Sequence, residues 1–479
     1  MTSEEPKTLS LVRRYTYGVG HVLNDLCASM WFSYLLLFFH QVLKFENNIA
    51  GYLMLLGQIT DGICTPLIGY ESDRKDISCR YGKRKTWHLI GTFCVTCSFV
   101  FIFNDCIGCH DDTTSIIKFV YYAPFIVIFQ FGWASTQISH LALLPELTSN
   151  KSERTELNAI RYAFTIISNI LVYTLCLILI DVIMKTSTGN LTPADKPQFM
   201  ELSFLVVGIG LVFSCIFHIG TRENASIGNR SIQANNQRSK PMRWRCWLKQ
   251  IQFYQVAMIY MCARLMVNIS QVYIPMYLLE TLQSNKDSVA IIPLVVYVSS
   301  FLASVFVKFV NDHLGRKITY GIGALLILVA CVCFYFIHNG KYIYIPTVLL
   351  GVGGSTVLVT SLSMTADLIN LNTESGAFVY GAMSFTDKLS NGIVIAVIQQ
   401  FHPCRTCCDK CGRFYREILS FVPGAAAIIS LVVLLTLIPV NIGKRDNIVA
   451  LEDNEDERKA LLACAQETNA YIEEDPART

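Results

Sequence analysis

Apolar stretches of roughly 20 residues, each long enough to cross the hydrocarbon core of a bilayer, recur from one end of this chain to the other. Twelve can be placed, at about 15–42, 49–72, 86–104, 118–147, 157–184, 201–221, 251–282, 289–311, 318–338, 343–369, 375–400 and 414–440. Backbone in lipid must satisfy its own hydrogen bonds, so stretches of this length are expected to be helices. Only 16% of the residues are charged, against about a quarter in soluble domains. The first apolar stretch is too long for a cleavable leader and is expected to remain as an anchor. The expected fold is an all-α membrane protein of twelve transmembrane helices.

An even number of crossings puts both termini on one side, and basic residues choose which. Connections on the terminal side carry Arg13 and Arg14, the run Arg74 to Lys85, Lys151 and Arg154, the segment Arg222 to Lys249, and Arg316 with Lys317. Most of the opposite loops offer one or two basic residues, and only the last is richer. Both termini are therefore expected in the cytosol. A net charge of +3 gives no reason to expect nucleic acid as a partner.

The polar, basic stretch 222–250 reads as a cytosolic linker between an N-terminal bundle, 1–221, and a C-terminal bundle, 251–440. Residues 441–479 form an acidic cytosolic tail. Glu146 and Glu153 recur 221 positions later as Asp367 and Glu374, at the cytosolic ends of helices 4 and 10. Two parallel six-helix repeats are the major-facilitator arrangement, with the solute site between the halves near the midplane. Between helices 2 and 3 lie Gly69, Asp73 and Arg74, and between helices 8 and 9 lie Asp312, Gly315, Arg316 and Lys317. These resemble the major-facilitator loop signature, the first copy carrying an insertion. They are read as gating latches in which an acid and its basic neighbours pair in one conformation; a basic loop obeying charge bias is the plainer alternative.

Within that superfamily the chain resembles the glycoside–pentoside–hexuronide cation symporter group. The resemblance rests on Tyr17, Gly18, Gly20, Asn24 and Asp25 in helix 1, and on Asp61, Pro66 and Gly69 in helix 2. It continues through Arg80 to Lys83, Leu144 to Thr148, Glu153, Arg154, Arg161 and Lys388. The stretches His21 to Trp31, Phe125 to His140, Thr365 to Ile369 and Ser375 to Gly381 are similar to a vertebrate branch of the superfamily. That branch is associated with lysosomes and melanosomes, and so with pigmentation, and with moving cysteine into them. The resemblance thus implies cysteine as the small-molecule substrate and those two membranes as the location, while composition and spacing lead only to a transporter.

Ionisable residues within spans are costly and usually face a water-filled path; here they are Asp25, Asp61, His140, Arg161, Arg264, Asp367, Asp387 and Lys388. Internal pairing that locks helices together is the plain alternative, and His140 reads as hydrogen-bonded in the bundle without a relay role. The resemblance implies a cation site with acids on helices 2 and 4. Here Asp61 stands with Thr65 before Pro66, and Gln137 occupies the helix 4 position. One carboxylate favours proton coupling through Asp61, or no coupling, over a sodium cage. Leu141 stands where sugar-carrying members have an aromatic platform. The expected substrate site is Asp25 for an ammonium, with Arg161 or Lys388 for a carboxylate, lined further by Gln137, Arg264 and Asn268; Asp25 also joins Asp61 as a candidate for proton coupling.

Cys106 with Cys109, and Cys404, Cys407, Cys408 and Cys411, lie in non-cytosolic loops with spacings that fit disulfides or zinc. A lumen of secretory origin favours disulfides, and no metal is expected. Asn190 heads a sequon for glycosylation. Glu457, Leu461 and Leu462 resemble an acidic dileucine sorting signal that a clathrin adaptor reads. The expected protein is a carrier working as a monomer in the lipid membrane, with no cofactor and no enzymatic activity. A sugar or other small-solute cation symporter is the alternative within transport, and a non-transporting scaffold or sensor the alternative outside it.

Overall fold

A computed structural model describes residues 9–74, 81–109, 113–148, 151–184, 192–223, 247–369, 376–403 and 411–443. Their regular structure is helical throughout. The N-terminal half holds α1 (Leu11–Val42), α2 (Asn47–Arg74), α3 (Lys83–Ile102), α4 (Ser115–Leu147), α5 (Lys151–Met184) and α6 (Lys196–Gly220). The C-terminal half holds α7 (Ile251–Thr281), α8 (Ser288–Leu314), α9 (Arg316–Phe336), α10 (Tyr344–Ile369), α11 (Gly376–Gln400) and α12 (Gly412–Leu437). The end of the bundle where α1 starts and α12 finishes is called here the terminus end, and the opposite one the far end.

Ten of these helices are long and apolar enough to cross a membrane by themselves. The other two, α2 and α11, are as long but more polar, and they pack against each other across the two halves. Their polar residues therefore meet protein at the centre of the molecule, where hydropathy is a poor guide. The halves also meet where α1 packs on α7 and α5 on α8.

α1 is not a regular helix. It passes through a 3-10 turn at Val19–His21 and ends in a π turn at Phe38–Val42. Such interruptions free carbonyl groups that must find other donors. His140 Nε2 takes the Tyr17 carbonyl at 2.8 Å and His88 Nε2 the Gly20 carbonyl at 2.9 Å.

Small residues let α3 and α4 approach closely. A methyl group on Gly91 would lie 2.5 Å from Thr136 Oγ1 and 2.7 Å from the Gly132 carbonyl oxygen. Backbone cannot yield cheaply there, and overpacking of this kind costs about 1–3 kcal/mol. Gly91→Ala is expected to lower the thermal midpoint of the purified protein in detergent. Gly208→Ala, at a site with nothing within 4 Å, is expected to leave it unchanged.

Candidate functional site

Among the described residues the links between halves run from mid-depth to the far end. At the far end Lys286 Nζ reaches both oxygens of Asp195 at 2.9 and 3.0 Å, Asn47 pairs with His402 at 2.7 Å, Tyr52 donates to Gln400 at 2.9 Å, and Gln41 donates to Glu280. Further in, Gln271 Nε2 from α7 reaches Ser33 Oγ at 3.1 Å and Tyr173 Oη at 3.3 Å, and Tyr173 lies 5.3 Å from Tyr297 between ring centroids. These groups close the far end over the centre of the molecule.

Beneath that roof are the mid-depth charges. Asp25 accepts from His21 Nδ1 at 2.9 Å and from Thr165 Oγ1 at 2.8 Å. Thr165 stands one turn from Arg161 on α5 and also contacts its carbonyl. Arg161 Nε is buried without a hydrogen-bond partner among the described residues. On the other half, Arg264 Nε pairs with Asp387 Oδ2 at 2.9 Å, and Asn391 holds the second carboxylate oxygen at 2.7 Å. The Arg264 side chain is 36% exposed while that of Asp387 is 3% exposed, so the guanidinium is the more accessible partner of the pair. Lys388 Nζ bridges the halves to Asp61 at 2.6 Å and to Thr65 Oγ1 at 2.9 Å.

The expected constellation is thus divided. Asp25 and Arg161 share the α1–α5 side of the centre, whereas Lys388 stands with Asp61 on the α2–α11 seam. Gln137 accepts from Trp133 Nε1 at 3.1 Å, and Asn268 is buried on α7 one turn beyond Arg264. His21, Thr165 and Tyr173 were missed by the sequence reading. His21 could have been found, because an imidazole four residues before an acid shares its helix face.

At the terminus end Arg316 Nη1 donates to the Ser363 carbonyl at 3.0 Å and pairs with Asp367, a link within the C-terminal half. The side chains of Asp73, Arg74 and Asp312, and the residues Asn190, Glu457, Leu461, Leu462, Cys404, Cys407 and Cys408, lie outside the described residues. Cys106 and Cys109 form a disulfide, and Cys411 is disulfide-bonded as well. Among the described residues no group of three or more His, Cys, Asp or Glu side chains is placed to hold a metal ion.

Two packed halves closed at one end around paired charges are the architecture of a carrier, and the family comparison decides which. The profile of the MFS/sugar transport protein family matches residues 16–444. The chain belongs to that family. It is 47% identical over 465 residues to major facilitator superfamily domain-containing protein 12 of Mus musculus, covering 92% of this chain and 96% of the relative. The Homo sapiens protein of that name is 48% identical over 455 residues, covering 90% and 94%. In fold it is similar to a D-xylose-proton symporter, with a TM-score of 0.66 at 15% identity over 90% of this chain and 99% of the other. An inward-open structure of the xylose transporter XylE from E. coli gives 0.63 at 13% identity, covering 87% and 95%. The protein is a multi-pass membrane transporter of the major facilitator superfamily and not an enzyme.

Proposed function

We propose that the protein carries cysteine from the cytosol into the lumen of lysosomes and melanosomes by alternating access, with its termini in the cytosol. The observation that carries this reading is Arg161, whose Nε is buried without a partner among the described residues and which lies one turn from Thr165, a donor to Asp25. Three acids, Asp25, Asp61 and Asp387, balance three bases, Arg161, Arg264 and Lys388, and two of the bases are already engaged by carboxylates. A centre without net charge suits a neutral or zwitterionic solute. Arg161 offers donors for the solute's carboxylate, and the Asp25 carboxylate accepts its ammonium group. Cysteine in particular, the destination, and sorting through Glu457, Leu461 and Leu462 rest on the resemblance to the lysosomal branch.

The test is labelled cysteine uptake into lysosomes isolated from cells with and without the protein. Arg161→Ala and Asp25→Asn are each expected to reduce uptake at least tenfold at equal protein. Uptake that does not depend on the protein at all refutes the substrate.

A sugar is the second reading, favoured by the family's description and the xylose-carrying structural neighbours. Competition by a panel of hexoses and pentoses separates the two.

A further inference from the structure

The core of the N-terminal half contains four imidazoles in succession, and their hydrogen bonds fix which nitrogens carry protons. A carbonyl only accepts, so His88 Nε2, bound to the Gly20 carbonyl, carries a hydrogen. In the neutral ring His88 Nδ1 is then an acceptor, reached by the Thr92 hydroxyl at 3.4 Å and, more closely, by His218 Nε2 at 3.1 Å, which donates to it. His218 Nδ1 is in turn an acceptor and receives the Tyr81 hydroxyl at 2.6 Å. By the same reasoning His140 Nε2 donates to the Tyr17 carbonyl, which leaves His140 Nδ1 bare. His21 gives its Nδ1 hydrogen to Asp25 and keeps Nε2 bare. Both of those bare nitrogens are buried without a hydrogen-bond partner among the described residues.

The four rings form a ladder. Centroids are 4.8 Å apart from His218 to His88, 6.0 Å from His88 to His140 and 5.9 Å from His140 to His21. The first rung is a direct hydrogen bond; at the other two the rings stand at contact separation, and a water or a ring movement must carry a proton across. Tyr81 and His218 lie at the terminus end and are partly exposed, whereas His88 and His140 are fully buried and His21 is 3% exposed. Capping the broken turn of α1 accounts for one nitrogen each of His88 and His140. It does not account for the directional bonds from Tyr81 through His218, nor for the two bare nitrogens.

We propose that His218, His88, His140 and His21 form a proton path from the terminus end of the N-terminal half to Asp25, and that the His21–Asp25 pair holds the proton coupled to solute movement. This rests on the reading of Asp25 and Arg161 as the solute site. Tyr81 gives its hydroxyl proton to His218 Nδ1 and regains one from solvent, while His218 passes its Nε2 proton to His88 Nδ1. His88 then releases its Nε2 proton, which lands on His140 Nδ1 and passes to His21 Nε2. The result is an imidazolium paired with the Asp25 carboxylate, and one proton has entered for one delivered. The groups facing His21 are Asp25 on its own helix, Arg161 from α5, His140 from α4 and His88 from α3. At the entry Lys85 Nζ, on the His218 carbonyl at 3.0 Å and over the Tyr81 ring, opposes a charge on His218 and His88. Arg161 opposes the imidazolium, so a solute carboxylate that neutralises Arg161 favours protonation of His21. That is a physical link between solute and proton.

The first test needs no solute. The Trp133 ring lies edge-on to His21, with centroids 6.4 Å apart, and an imidazolium at that distance quenches indole emission. In full-length protein with Trp133 as its one tryptophan, an acid jump is expected to quench emission rapidly. His88→Gln and His218→Gln are expected to slow that quench at least tenfold, and Tyr81→Phe severalfold. A quench that is absent, or equally fast in the variants, overturns the proposal.

The second test uses liposomes with a trapped pH dye and cysteine as the probe. The variants are expected to lose at least tenfold of the cysteine-evoked proton movement while counterflow of labelled cysteine stays within twofold. Equal loss of both, with unchanged thermal midpoints, assigns these rings to packing alone. If the wild type passes the first test and shows no cysteine counterflow, the proton path stands and the substrate reading falls.

Discussion

Asp61→Asn is expected to reduce solute uptake at least tenfold, and exchanging the pair as Asp61→Lys with Lys388→Asp is expected to recover much of the loss. Both side chains are largely buried, at 9% and 11% exposure, and they join the two halves at mid-depth. With the carboxylate gone, the ammonium of Lys388 keeps, among the described residues, only neutral acceptors, the Thr65 hydroxyl and the new amide oxygen, and loses its counter-charge. Breaking a buried pair on one side costs about 3–5 kcal/mol, mostly from the charge left behind. At about 1.4 kcal/mol per factor of ten, this shifts a conformational equilibrium by roughly a hundredfold or more. In alternating access α2 and α11 must part at one end and then the other, so a link halfway along both suits a pivot. The exchanged pair also separates two roles for Asp61. A pivot needs opposite charges in either order, whereas a coupling carboxylate must remain on α2. Recovery of uptake supports the pivot and, with it, His21–Asp25 as the proton-carrying pair; failure of the exchange, with protein levels unchanged, returns the coupling role to Asp61.

Sequence reading was reliable wherever one long apolar run decides the structure. Its errors at helix ends have a physical pattern. α5 begins at Lys151, several residues before its apolar run. The extra turns are polar and held by contacts, with Arg14 pairing with Glu153 at 3.3 Å and with Glu156 at 2.5 Å. Hydropathy cannot register a helix that continues beyond lipid on such bonds. The ionisable residues within spans were also legible, because their cost in hydrocarbon marks them whatever their role. Their partners were not. Asp61 with Lys388 and Arg264 with Asp387 are matched by the packing of distant helices, and a charge list allows other pairings equally well. The imidazoles were hidden for a further reason. His140 alone reads as a core histidine, and only the fold brings it beside His21 and His88.

The far-end closure shows the same limit and makes the second strong prediction. Asp195 and Lys286 come from connecting segments, which the sequence presents as ordinary polar loops, yet their side chains are 9% and 5% exposed. Asp195 has local support, since its Oδ2 also accepts from the Thr192 amide at 2.6 Å and the Thr192 hydroxyl at 3.2 Å. Lys286 Nζ has no acceptor other than Asp195 among the described residues. The two single substitutions are therefore unequal. Lys286→Ala leaves an acid that keeps its hydrogen bonds, but Asp195→Asn leaves a buried ammonium without a carboxylate, and the far end must open to hydrate it. Fluorescent labels at Ile116 and Tyr342, exposed far-end positions on opposite halves, report that opening as a longer distance in single-molecule transfer measurements on cysteine-depleted protein. Asp195→Asn is expected to move most molecules to the longer distance and Lys286→Ala a smaller fraction. If both variants keep the wild-type distance distribution, this pair is not what holds the far end shut, and the Gln41–Glu280 and Asn47–His402 contacts carry the closure instead.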